Sequence, residues 1–230
     1  MTSMLDVETL EGKRFLDVGC GSGLFSLAAR LLGASVFSFD LDAHSVVAAT
    51  TLKRQYFPDD DRWIIRQGSV LHKDFLASLG TFDVVYSWGV LHHTGAMWQA
   101  LKNILPLVAH GGKLFVAIYN DQRWRSTYWR GVKRLYNQHL LLKILIISGH
   151  LWRFMGRIVV RTLRGELQIR RGMSLWHDYL DWLGGYPFEV AKPERIFNFY
   201  RQQGFVLTTL TTCGGKSGCN EYVFQKPAHA

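Results

Sequence analysis

The run Leu16-Asp17-Val18-Gly19-Cys20-Gly21-Ser22-Gly23 sets three glycines at alternate positions behind a carboxylate. Glycines let a main chain come close to a ligand, and a helix that starts at such a loop offers free N–H groups to an anionic moiety. The acid two positions before the first glycine suits a ligand with a positive ammonium or sulfonium group better than a pyrophosphate. The glycine spacing by itself leaves a dinucleotide enzyme or a plain tight turn open. A second carboxylate, Asp40, stands in Phe39-Asp40-Leu41-Asp42, and a histidine pair, His92-His93, follows Phe82-Asp83-Val84-Val85-Tyr86-Ser87-Trp88-Gly89-Val90-Leu91. Histidine titrates near neutral pH, so either ring could take a proton from a hydroxyl; a packed or capping role is the alternative. His177 is a further candidate base, although a surface histidine is the favoured reading. In Cys213-Gly214-Gly215-Lys216-Ser217-Gly218-Cys219, Lys216 could hold an anionic acceptor, but a flexible hairpin loop is the favoured reading. This Gly-Gly-Lys-Ser lacks the strand–loop–helix setting of a nucleotide-hydrolysing loop.

These residues need elements to carry them. Strands are expected at Phe15–Val18, Ser35–Phe39, Trp63–Gln67, Phe82–Ser87 and Lys113–Tyr119. Helices are expected between them at Leu24–Leu32, His44–Gln55 and Met97–Leu105. Strand–helix alternation with apolar runs means a parallel sheet covered on both faces. After a helix at Pro193–Gln203 come two strands, Phe205–Thr212 and Tyr222–Gln225, with a Gly-rich link too short for a crossover. They must be antiparallel. The fold class is therefore α/β: a Rossmann-like, doubly wound, seven-stranded sheet with one antiparallel strand. The chemistry-bearing residues fall at strand ends, where open α/β sheets bind ligands.

Composition narrows the function class. The chain has 230 residues, 48% of them apolar, with Cys20, Cys213 and Cys219 as its cysteines. That excludes a disordered chain and a disulfide-stapled module. The cysteines lack paired spacing, so no metal site is expected. The first residues carry no apolar leader, and no stretch reaches about 18 uncharged apolar residues. A cytoplasmic protein is expected. The net charge of +9 is uneven: residues 121–176 hold 12 Lys/Arg and 2 Asp/Glu, a net of +10, against −1 for the remainder. Within this segment Arg153, Arg157, Arg161 and Arg164 recur at helical spacing, opposite Leu151, Phe154, Met155, Ile158, Val159 and Leu163. The segment reads as a basic amphipathic helical cap inserted at 121–176 into a core made of 1–120 and 177–230. Peripheral contact with an anionic membrane, or an anionic acceptor, would suit it. Tyr119 and Asn120 should face the site, and the aromatic and acidic stretch Asp178–Glu189 reads as a pocket wall or a hydrophobic anchor.

The motifs, in their order and spacing, resemble class I S-adenosylmethionine-dependent methyltransferases over residues 13–120 and 192–226. LDVGCGSG is similar to that family's first motif, Asp40 to its second, Gly68-Ser69-Val70 to its third, and Phe82–His93 to its fourth. The resemblance implies S-adenosyl-L-methionine as cofactor. Asp17, Gly19, Gly21 and Gly23 would hold its methionyl part, with Cys20 and Leu41 beside the pocket. Asp40 would take the ribose hydroxyls, Ser69 and Val70 the adenine, and Trp88 a far wall. Many members have an acid where Ser69 stands, so adenine contacts there would be carried by the main chain. Only about a dozen residues precede the first strand, where many members have a helix that helps close the pocket.

The resemblance also implies methyl transfer to a small or lipid-like acceptor, as in quinone-precursor O-methyltransferases, with hydroxyl oxygen as the expected atom. His93 is preferred to His92 as the base, because Thr94-Gly95 opens the chain there, and His177 is the second choice. The chain lacks the Pro-Pro-Tyr signature of base aminomethylation and a Pro-Cys nucleophile, so a nucleic acid partner is not expected. The alternatives are an RNA methyltransferase that uses the basic cap and a non-catalytic S-adenosylmethionine-binding assembly factor. The sequence leaves the oligomeric state open.

Overall fold

The computed structural model of the chain describes residues 2–138, 140–163, 180 and 182–228. It divides into two compact units, Met1–Gln122 with Val190–Ala230, and Arg123–Glu189.

In the first unit a short helix α1 (Thr2–Leu5) precedes β1 (Arg14–Val18), α2 (Leu24–Leu31), β2 (Ser35–Asp40), α3 (Ala43–Tyr56) and β3 (Trp63–Gln67). Then come α4 (Lys73–Ala77), β4 (Phe82–Trp88), α5 (Met97–Asn103) and β5 (Val108–Tyr119). These seven strands form one sheet in the order β3-β2-β1-β4-β5-β7-β6, counting β6 (Val206–Thr211) and β7 (Cys219–Gln225). β7 runs antiparallel to both of its neighbours. The other strand pairs are parallel, so β7 is the reversed strand of this sheet.

Strand residues are buried alternately on two faces, as expected for a covered parallel sheet. Leu16, Val85, Val116 and Phe224 pack one way, with Leu101 of α5 and Ile196 and Tyr200 of the helix Pro193–Gln202. Phe15, Val84, Tyr86 and Phe115 pack the other way, with Ala29 of α2 and Leu5 of α1. The helix α3 opens on Asp42, whose carboxylate accepts from the main chain of His44 and Ser45, which satisfies two N–H groups of the first turn. β5 starts earlier than its apolar run: Phe82 pairs with Val108 and Val84 with Lys113 across an irregularity at Gly111-Gly112. A Cβ on Gly112 would meet the carbonyl oxygens of Ala109 and Asp83 at 2.9 and 3.0 Å, so a side chain is excluded where β5 presses on β4.

The second unit is helical, with α6 (Trp124–Gln138) and α7 (Leu140–Leu163). It extends to Glu189, past the end at Trp176 expected from charge. The reason is packing: the carbonyls of Gly184 and Phe188 accept from Asn137 and Arg130 of α6, and Trp182 sets its ring edge-on to Trp129. Among the described residues no helix is long and apolar enough to cross a membrane. Arg164, and the side chains of Arg153, Arg157 and Arg161, lie outside the described residues, as does that of Phe154.

Lys133 of α6 is fully buried. Its ammonium donates to the carbonyl of Trp182 and stands 4.3 Å from the ring centre of Trp182 and 5.1 Å from that of Phe188. Cation–π attraction offsets part of the lost hydration, but burial still brings its pKa down to about 8. The unfolded chain holds this proton at higher pH than the native one, so stability rises with pH above about 8. Lys133→Met should be the more stable form at pH 7, and its advantage should shrink by pH 9.5. Thermal unfolding of both proteins across about pH 7–9.5 checks this; a constant gap would show that Lys133 is not held with a lowered pKa.

Candidate active site

β1 and β2 lie side by side, which brings the glycine loop against the end of β2. The N–H groups of Gly19 and Cys20 donate to the carbonyl of Phe39 at 2.8 and 3.1 Å. Gly21 then donates to Asp40 Oδ2 at 2.9 Å, and Asp42 donates to Asp40 Oδ1 at 2.9 Å. The half-buried Asp40 carboxylate is thus oriented by two main-chain donors. Gly19 has a φ of +73°, and a Cβ there would lie 2.3 Å from Val90, just after β4. Gly21, with a φ of +53°, has nothing within 4 Å of such a Cβ and faces open space. Gly23 is the N-cap of α2 and leaves its first turn without a side-chain cap.

Asp17 is placed differently from a group that meets a ligand directly. It is buried, and its carboxylate accepts from Ser26 Oγ at 2.5 Å. Ser26 also bonds to Ser38 Oγ at 2.7 Å, and Trp63 Nε1 donates to Ser38 Oγ at 3.0 Å. The chain Asp17–Ser26–Ser38–Trp63 runs beneath the glycine loop and joins β1, α2, β2 and β3. Burial raises the Asp17 pKa to about 7, with the Ser26 hydrogen bond opposing the rise and the Asp40 charge adding to it. Cys20 is buried as well, and burial together with the Asp17 and Asp40 charges pushes its thiol far up, so it is no nucleophile.

Leu41 is exposed beside Asp40, and its carbonyl accepts from Gln67 Nε2. Ser69 is half-buried and its hydroxyl accepts from the Leu71 N–H. The Val70 side chain turns into the core and its carbonyl accepts from Asn103 Nδ2 at 2.9 Å, which leaves only its main chain near any ligand. Trp88 ends β4, half-buried, and its Nε1 donates to Glu221 Oε1 at 2.8 Å. His92 is fully buried, with its ring centre 4.0 Å from that of Tyr119 and 4.5 Å from that of His93. His93 is half-buried and meets Tyr119 edge-on at 5.5 Å. His177, Asp178, Tyr179 and Asp181 lie outside the described residues.

The Cys213–Cys219 link is pinned rather than a free hairpin loop. Asn120 donates from its main chain to Gly218 and from its side chain to Lys216, and Gln122 donates to Gly215. Buried Asn220 donates to Asn120 Oδ1 and accepts from the Cys213 N–H. Sequence reasoning also missed Glu221. It sits opposite Ala117 of β5, and the small Ala117 lets the Trp88 indole reach across that strand. No motif marks Glu221; only its place in an antiparallel register finds it.

The ends of β1, β2 and β4 therefore form a candidate ligand-binding end. It has an oriented carboxylate, a side-chain-free loop facing open space, and a helix N-terminus without a cap. Residues 16–114 match the family described as "Methyltransferase domain". Over those residues the chain carries a methyltransferase domain. S-adenosyl-L-methionine is its cofactor, and the donor set at Asp40 and the glycine loop fits a ligand with a diol and a zwitterionic end.

Among curated relatives, the ubiquinone biosynthesis O-methyltransferase of Rhizobium etli (strain CIAT 652) is 35% identical over 113 residues, which is 48% of this chain and 43% of that protein. The tRNA U34 carboxymethyltransferase of Ectopseudomonas mendocina is 34% identical over 108 residues, 46% of this chain and 32% of that protein. The match thus spans less than half the length of these relatives. Magnesium protoporphyrin IX methyltransferase from Synechocystis PCC 6803, solved with bound S-adenosylhomocysteine, shares the fold with a TM-score of 0.58 at 15% identity, over 98% of this chain and 79% of that one. The N-methyltransferase NodS from Bradyrhizobium japonicum does so with a TM-score of 0.57 at 14% identity, over 98% and 83%.

The Asp17 carboxyl yields a pH test. Its folded pKa is raised from 3.8 to about 7, so the native state binds the extra proton and stability falls as pH rises through that window. Asp17→Asn keeps an acceptor for Ser26 and carries no charge. Its unfolding midpoint should gain on that of the native sequence between pH 4 and 7.5. Parallel curves from scanning calorimetry would refute the raised carboxyl.

Proposed function

We propose that the chain transfers a methyl group to a hydroxyl oxygen of a small or lipid-like acceptor. The observation that carries this reading is the juxtaposition of the oriented Asp40 carboxylate and glycine loop with the His92–His93–Tyr119 cluster just past β4. Similarity to proteins named O-methyltransferases supports oxygen as the atom. When bound, S-adenosyl-L-methionine supplies a methyl group already activated on a sulfonium. Asp40 takes the ribose hydroxyls, exchanging main-chain donors for charge-assisted bonds to a diol. Gly19, Cys20, Gly21 and Gly23 shape the methionyl end, with Asp17 beneath them as a buried charge that favours an ammonium. Leu41 and the main chain of Ser69 and Val70 border the adenine, and Trp88, steadied by Glu221, forms the far wall.

What remains for the protein is alignment, exclusion of water and removal of one proton. His93 accepts the proton of the acceptor hydroxyl at a ring nitrogen, its ring held against Tyr119. His177 is the second candidate for that proton. A lipid-like acceptor suits a cytoplasmic protein held peripherally at an anionic membrane. Methylation of RNA is the second reading, because proteins named tRNA U34 carboxymethyltransferases, whose substrate is an RNA, are also among the relatives of this chain. Steep loss of activity with salt on RNA would favour it.

Asp40→Ala should weaken S-adenosylhomocysteine binding by about 1.5–3 kcal/mol, measured by titration calorimetry. Unchanged affinity in a folded variant would remove Asp40 from the ribose. With radiolabelled cofactor, phenols with and without an alkyl tail should accept the label and RNA should not. On the best phenol, His93→Ala should lower turnover about 10²–10⁴-fold with little change in cofactor affinity. Near-normal turnover would exclude His93 as the base.

A further inference from the structure

The loop that follows β3 is clamped from several sides. The Gly68 N–H donates to the Asp40 carbonyl at 2.9 Å, which ties the loop to the end of β2. A Cβ on Gly68 would lie 2.3 Å from the ring of Phe75 in α4, and that ring stands edge-on to Phe39 of β2. The Ser69 hydroxyl oxygen and carbonyl accept from the N–H groups of Leu71 and His72. The Val70 side chain is buried, and its carbonyl accepts from Asn103 Nδ2 at 2.9 Å. Among the described residues nothing accepts from the N–H groups of Ser69 and Val70, so main-chain donors are what the loop has left to offer. Asn103 is a costly residue for its position. It ends α5, where the other buried residues are Met97, Ala100 and Leu101. A leucine there would need no partner, whereas a buried amide is unfavourable unless it is hydrogen-bonded. Both ends of this amide are used: Nδ2 goes to Val70, and Oδ1 accepts from Nε2 of exposed Gln99, one turn earlier, at 2.5 Å. Gln99 thereby fixes which end of the amide meets the loop.

We propose that Asn103 is a positioning residue for base selectivity: by holding the Val70 carbonyl it aims the N–H groups of Ser69 and Val70 at the acceptor edge of adenine. Adenine N1 is a hydrogen-bond acceptor. N1 of hypoxanthine carries a hydrogen and would oppose a main-chain N–H, leaving two donors face to face. With serine at position 69 there is no carboxylate to take the exocyclic amine, so discrimination between the two bases falls to the main chain. A main-chain donor is only as selective as its placement, and α5 supplies that placement through one amide. The inference deepens the reading that Ser69 and Val70 border the adenine, and rests on it.

The full chain should be titrated calorimetrically with S-adenosylhomocysteine and with its deaminated analogue, S-inosylhomocysteine. The native sequence should prefer the adenine compound at least about tenfold. Asn103→Ala should bring that ratio down to about threefold or less. Gln99→Glu is the second variant, made at an exposed position so that the core is untouched. Its carboxylate accepts from Asn103 Nδ2, turns the amide and sets Oδ1 against the Val70 carbonyl, so the ratio should fall in the same way. A merely structural Asn103 would instead weaken both compounds by one common factor. A ratio preserved in either variant, or a native chain that binds the two compounds equally, would overturn the proposal. In the native chain S-adenosylhomocysteine should also shift the amide resonances of Ser69 and Val70. Absence of that shift would defeat the adenine reading and this inference with it. The shift together with a ratio unchanged in the variants would defeat this inference alone.

Discussion

The closure of the glycine loop onto the end of β2 is the contact on which the site depends. The carbonyl of Phe39 takes two N–H groups from Gly19 and Cys20, and Asp40 takes the next from Gly21. Two adjacent parallel strands thereby present one continuous edge to a ligand. The price of that edge is steric: Val90 comes so near Gly19 that any side chain there would collide with it. The turn after β4 is consequently locked to the turn after β1, and the His92–His93 pair is carried to its place by the same approach.

Two ionisable groups stand in environments that oppose their charges, for different ends. Asp17 is buried beneath the loop, where a proton or a ligand's cationic group can neutralise it. Lys133 is buried in the helical unit among aromatic rings and a carbonyl, with no carboxylate against it among the described residues. Such a lysine costs stability and retains its place because its four-carbon stem fills the space between α6 and the Trp182–Phe188 segment. The first group lies beneath the glycine loop, the second inside the helical unit.

The two units divide the work. The sheet unit holds the glycine loop, Asp40 and the His92–His93–Tyr119 cluster. The helical unit holds 12 of the chain's 27 Lys/Arg against four Asp/Glu, a net of +8 out of +9.

Much was legible before any coordinates. Periodicity and turn residues placed five parallel strands, the reversed strand and the helices Met97–Asn103 and Pro193–Gln202 to within a residue or two at most ends, because those elements are short, apolar and punctuated by Gly and Pro. β5 was longer than its apolar run, since Val108 pairs with Phe82 ahead of the bulge by register and not by composition. Local sequence also marked Asp40 and the three glycines, whose roles are set by backbone geometry close by in the chain. It did not reveal that the Asp17 carboxylate turns inward to Ser26 or that Val70 packs into the core. Nor did it show that Glu221 reaches Trp88 across Ala117. Each of these depends on which strands are neighbours, and strand order joins residues up to 133 positions apart. The pinned Cys213–Cys219 link was misread for the same reason: its partners, Asn120 and Gln122, are remote in sequence and adjacent only because β7 inserts between β5 and β6. Residue type and spacing determined the class of chemistry, whereas the direction each side chain faces was decided by tertiary packing.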